Sequence, residues 1–192
     1  MKKVILLLLN SLFIGACSTV ATNDMERIDQ SQLQDRRTRE AITIDKEIEN
    51  EAYSELNSDD EVLNQCHYTI TAYNGAVLVT GEAPNEELRN KIISTVQGIS
   101  NVKIVHNHLI VGYPSYNSSR TNDQFITETV EKALSQIRTM PDFDPSMVKV
   151  ITENNTVFLM GIVHRDEGTV VINVTRLQPG ITQIITIFEY LD

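Results

Sequence analysis

The chain has 192 residues, with 26 Asp and Glu against 16 Lys and Arg, a formal charge of −10, 41% hydrophobic residues and no tryptophan. So acidic a balance argues against a nucleic-acid partner, since little is available to displace phosphate counterions, and against attraction of the whole chain to anionic lipid. Two cysteines, Cys17 and Cys66, leave no room for a disulfide framework if one is modified.

Residues 1–16 read as a leader: Lys2 and Lys3 precede the apolar run Val4 to Leu9, which Asn10 and Ser11 interrupt before Leu12, Phe13 and Ile14. The run is too short to span a bilayer. Ile14-Gly15-Ala16-Cys17 resembles the lipobox of bacterial lipoproteins, which makes Cys17 the expected acylated N-terminus, with palmitate among its chains. Ser18 follows with no Asp, resembling the outer-membrane sorting signal. Loss of Lys2 and Lys3 takes the formal charge from −10 to −12. Residues 17–38 form the lipidated cysteine and a polar, flexible tether, because they lack the apolar content to offset chain entropy.

Beyond the tether the chain repeats itself. Ile70 to Gly81 aligns without a gap over Val150 to Gly161, and Gly98-Ile99-Ser100-Asn101-Val102 matches Gly180-Ile181-Thr182-Gln183-Ile184, with two extra residues in the second copy. Each copy starts with a helical stripe: Ile44, Ile48, Ala52 and Leu56 in the first, and Ile126, Val130, Ala133, Leu134 and Ile137 in the second, where Asn122 or Asp123 is the expected cap. A hairpin follows, turning at Asn74-Gly75 or Asn154-Asn155. The next helix buries Leu88, Ile92 and Val96, with Pro84 in its first turn, or Val170, Val171, Val174 and Leu177. Gly98 and Gly180 are expected left-handed C-caps, and Gly75, Gly81 and Gly161 complete the structural glycines. The last strands are Val102 to Val111 and Gln183 to Leu191.

The fold class is therefore α+β: two tandem helix-strand-strand-helix-strand domains, each with a three-stranded mixed sheet and both helices on one face. The expected boundaries are 39–112 and 121–192, joined by a linker at 113–120. Domains of this size bury modest cores, which predicts two separate, moderately stable units.

Little catalytic chemistry is visible, and neither an enzyme activity nor a cofactor is expected. His106 and His108 share a strand face without a third ligand nearby in sequence, and read as solvated rather than metal-binding. His67 and His164 read as isolated. Asp142-Phe143-Asp144-Pro145 reads as a turn, and Cys66 as a half-buried apolar residue at an element boundary.

The stretches Ile70 to Leu88 and Val148 to Val163, above all Thr71-Ala72-Tyr73-Asn74-Gly75 and Val157-Phe158-Leu159-Met160-Gly161, resemble the BON domain family. Behind a lipobox, the doublet is similar to outer-membrane lipoproteins of that family. The resemblance implies a non-catalytic, phospholipid-binding lipoprotein on the periplasmic face of the outer membrane, supporting envelope integrity and cell division. It further implies a lipid site on the first helix of the second domain, opened by Phe125 and comprising Phe125, Ile126, Thr129, Val130 and Lys132. Glu131 beside them opposes an anionic headgroup, so a phosphatidylglycerol-like preference is weakened. The alternative is an adaptor that docks envelope proteins through the hairpins and the inter-domain face.

Overall fold

The structure, a computed structural model, describes residues 35–191. The leader, the lipobox with Cys17 and the tether up to residue 34 lie outside the described residues.

Domain 1 comprises α1 (Arg39–Asn57), α2 (Asp60–Gln65), β1 (His67–Tyr73), β2 (Ala76–Ala83), α3 (Glu86–Gly98) and β3 (Ile104–Val111). Domain 2 comprises α4 (Asn117–Leu134), a 3-10 turn at Pro145–Met147, β4 (Val148–Glu153), β5 (Thr156–Val163), α5 (Arg165–Arg176) and β6 (Gln183–Tyr190). Each sheet has its second strand in the centre, antiparallel to the first and parallel to the third. This is the mixed sheet the repeat implies. The α2 turn, capped by Asp59 on the N–H groups of Glu61 and Val62, has no counterpart in domain 2 and was not expected.

Both helices of each domain lie on one sheet face, and the stripes bury as their spacing requires. Ile48, Ala52, Leu56, Leu88, Ile92 and Val96 pack on Ile70, Ala72, Val77 and Val79 in domain 1, and Ile126, Val130 and Leu134 pack on Val150, Val157 and Leu159 in domain 2. Cys66 sits at the α2–β1 boundary against the first core, where burial, then Glu61 and Asp59, push its thiol pKa up. Both hairpins turn on two residues with positive φ: 50° and 79° at Asn74 and Gly75, 49° and 61° at Asn154 and Asn155. Gly81, at φ 118°, is required for a second reason: a Cβ there would collide with the carbonyl of His67 on β1. Gly161 is held likewise against the Met147 carbonyl.

Other expectations are corrected. Helix α3 leaves through Ile99 in extended conformation, and Asn101 (φ 67°), not Gly98, takes the left-handed position. Gly180 is left-handed (φ 85°) but lies past the end of α5 at Arg176. Pro84 precedes the N-cap Asn85, whose side chain accepts the Leu88 N–H. Leu177 is 82% exposed, and Thr175 takes the buried position instead. Val105 pairs with Val77 and Ile184 with Val157, so the second copy is one residue shorter between hairpin and last strand, not two longer. Helix α4 starts at Asn117, within the expected linker, because Asp123 belongs on its buried face rather than at its end.

The two domains are not separate units. The sheet faces turned away from the helices meet in a third apolar cluster of Tyr73, Leu78, Phe158, Met160 and Ile162, flanked by Ala76, Ile151, Ile185 and Ile187. Both central strands are consequently buried on two faces. Nor are residues 35–38 loose. Arg36 donates to both carboxylate oxygens of Glu167 and to the Ile162 carbonyl, while Arg37 pairs with Asp35 and Asp45 and lies 3.9 Å over the Tyr73 ring. The end of the tether therefore clasps both domains.

Candidate functional site

Helix α4 packs Ile126, Val130 and Leu134 inward, each essentially inaccessible, so Ile126 and Val130 support the expected lipid surface from beneath and do not line it. Phe125, one position round the helix, is 60% exposed and has no place in that stripe. Thr129 lies one turn on, half-buried, its hydroxyl donating to the Phe125 carbonyl at 2.8 Å, and Lys132 is exposed at the far end. The approach to the helix carries two more exposed rings, Tyr113 at 90% and Tyr116 at 86%.

Charge distribution sets this surface apart. Within 113–127 the one acidic residue is Asp123, which is buried, and the one basic residue is Arg120, which is exposed and donates to the Ser115 carbonyl. A chain with a net charge of −10 thus presents an aromatic stretch free of exposed carboxylates. Acidity returns at Glu128, bonded to Gln124, and at Glu131, whose pKa is raised by partial burial and then by Glu128. The N-terminus of α4 has no side-chain cap, which leaves the positive end of the helix dipole uncompensated.

A second group of polar side chains lies at the seam between the domains, brought together from positions that no local pattern links. His67 and Glu82 are opposite each other in the β1–β2 ladder, with His67 Nδ1 3.2 Å from Glu82 Oε2. Glu153, the last residue of β4, brings Oε1 to 3.9 Å from the same nitrogen. Burial, then the neighbouring Glu82 and Asp123 charges, push the Glu153 carboxyl up to about 7. His67 is therefore not isolated. His106 and His108 are half-buried rather than fully solvated: His106 lines a cleft with residues of both domains, burial lowers both pKa values, and His108 meets Phe158 edge-on at 4.8 Å.

A model of the BON domain matches residues 44–113 and again residues 122–191, which coincide with the two folded units. The chain belongs to the BON domain family. The BON doublet is similar to the outer membrane lipoprotein DolP of Haemophilus influenzae, 25% identical over 192 residues, covering all of this chain and 97% of the relative. It is also similar to a 21 kDa hemolysin of Actinobacillus pleuropneumoniae, 24% identical over 164 residues, covering 85% and 83%. Among solved structures, CdsD, a structural protein of the type III secretion system of Chlamydia trachomatis, aligns with a TM-score of 0.32 at 12% identity, covering 74% of this chain and 91% of that one.

Proposed function

We propose that this BON protein is a non-catalytic outer-membrane lipoprotein, tethered through acylated Cys17, that lays the N-terminal part of α4 on phospholipid in support of envelope integrity and division. The observation that carries the reading is Phe125: a large apolar ring, 60% exposed, in a stretch without exposed carboxylates and flanked by Tyr113 and Tyr116. Aromatic side chains of this kind suit the headgroup boundary, where one end is apolar and the other wet. Similarity to DolP over the whole chain supports the outer-membrane address. The leader and lipobox pattern support the anchor.

The weak net charge of the α4 face makes the aromatic contribution dominant over headgroup electrostatics. Phosphatidylglycerol is then favoured over phosphatidylcholine only modestly, through Arg120, Lys132 and the helix terminus. The adaptor alternative loses the inter-domain face, since the two sheets already cover it. Flotation of the mature chain bearing Cys17→Ser with vesicles of each lipid tests the proposal. Binding that falls at least tenfold in Phe125→Ala supports it, and equal flotation of the two proteins refutes it.

A further inference from the structure

The seam cluster has the composition and spacing of a metal site. One ligand atom each from His67, Glu82 and Glu153 lie within 4.8 Å of one another. Two of the three ligand–ligand separations, from His67 Nδ1 to Glu82 at 3.2 Å and to Glu153 at 3.9 Å, are already near the separation of about 3.3 Å that neighbouring ligands adopt around an ion with bonds of about 2.1 Å.

Charge gives the independent reason for a ligand here. Glu82 is 2% exposed and Glu153 8%, yet among the described residues the only ion-pair partner of either carboxylate is His67. Two buried carboxylates facing one imidazole repel each other in a poorly solvated place, a cost that without a cation is met by protonation of one of them. A divalent cation removes that cost. The surroundings hold the ligands in place: Asn154 donates to Glu82 Oε1 at 2.8 Å, the Ser115 N–H reaches Glu82 Oε2 at 3.2 Å, and the Thr80 hydroxyl donates to Glu153 Oε2 at 3.4 Å. The Ser115 hydroxyl, on the same residue that holds Glu82, is shielded from solvent and has no hydrogen-bond partner. Access exists too, because His67 and Glu153 line a cleft of about 310 Å³ with Arg120, Asp123 and Gln124.

We propose that His67, Glu82 and Glu153 form a divalent transition-metal site that staples the two BON domains across their seam. One nitrogen and two carboxylate oxygens suit Zn²⁺ best, with Mn²⁺ or Co²⁺ as weaker occupants, whereas Ca²⁺ and Mg²⁺ call for oxygen-only sets. His67 and Glu82 belong to domain 1 and Glu153 to domain 2, so binding requires the docked arrangement and stabilises it in proportion. This assignment is independent of the membrane surface on α4.

The test uses the untagged mature protein in detergent micelles, stripped with chelator and titrated calorimetrically with Zn²⁺. One equivalent is expected to bind and to raise the melting temperature. Glu153→Gln and His67→Gln each weaken binding at least tenfold, and His106→Gln leaves it unchanged. Should the seam variants unfold, the wild type decides: trace Mn²⁺ broadens the imidazole resonances of His67 before those of His106, His108 and His164. Absence of one-equivalent binding, full binding by a folded Glu153→Gln protein, or broadening led by His106 and His108 overturns the proposal.

Discussion

Asp45 and Asp123 hold the same position in the two domains, each buried on the first helix with both carboxylate oxygens on the hairpin turn. Asp45 accepts the backbone N–H groups of Asn74 and Gly75 at 2.7 and 2.8 Å, and Asp123 those of Asn154 and Asn155 at 2.9 and 2.8 Å. A turn of two left-handed residues points its N–H groups the same way and makes a small anion seat. The clamp thus ties helix to hairpin twice over in one chain.

Asp123→Ala is expected to lower the stability of domain 2 by about 3 kcal/mol, because two buried N–H groups lose charged acceptors at once. Asp123→Asn, which keeps one acceptor, is expected to cost about half as much. Urea unfolding followed through domain 2 amide signals checks both, and an unchanged midpoint in Asp123→Ala contradicts the clamp.

Local patterns made much of this fold readable. Asn74-Gly75 declares its turn through backbone sterics alone, and Ile126, Val130 and Leu134 declare a buried stripe through spacing alone. Asp123 did not declare itself, since an Asp beside an apolar run also suits an N-cap, and only the hairpin, 31 positions away in sequence, tells the two apart. A usable signal was present in Val157 to Val163, where apolar residues fill both strand faces and so require cover on both. The exposure of Phe125 followed from the helix stripe. His67 and Glu153 came together through a sheet-to-sheet contact that no local pattern encodes.

Phe158 is the largest side chain besides Tyr73 in the inter-sheet cluster it shares with Leu78, Met160 and Ile162, and it meets the His108 ring edge-on across the seam. Phe158→Ala is expected to cost about 3 kcal/mol or more and to loosen docking more than either helix-covered core. Calorimetry should then resolve two unfolding transitions where the wild type shows one. A single transition, merely shifted, contradicts a shared core at the seam.

The clasp between Arg36 and Glu167 carries a pH dependence whose direction is fixed. Burial opposes ionisation of Glu167, but the Arg36 guanidinium and the His164 N–H outweigh it and hold the carboxyl below its ordinary value of 4.5. The folded protein therefore keeps its charge where the unfolded chain takes up a proton. The contribution is complete above the unfolded value and is lost as pH falls through the folded one. Arg36→Ala is expected to cost about 2 kcal/mol at pH 7 and progressively less below pH 4.5. Chemical denaturation across that range measures the difference, and a constant gap between the two proteins refutes the assignment.

Glu128 is the nearest exposed acid to Phe125 in sequence, about one helical turn on along α4 and bonded to Gln124. If α4 lies on phospholipid with Phe125 inserted, the Glu128 carboxylate stands close to the headgroups and repels anionic ones. Removing one such charge is worth about 1 kcal/mol near an anionic surface, or about fivefold in binding. Glu128→Gln should therefore bind phosphatidylglycerol vesicles about fivefold more tightly and phosphatidylcholine vesicles no differently. Added salt should shrink the gain, since screening shortens the reach of the charge. The effect also depends on the ring: in Phe125→Ala the same substitution should recover little, because the helix no longer sits at the depth where the carboxylate is felt. Equal gains on neutral and anionic vesicles, or a gain independent of Phe125, argue against this orientation of α4.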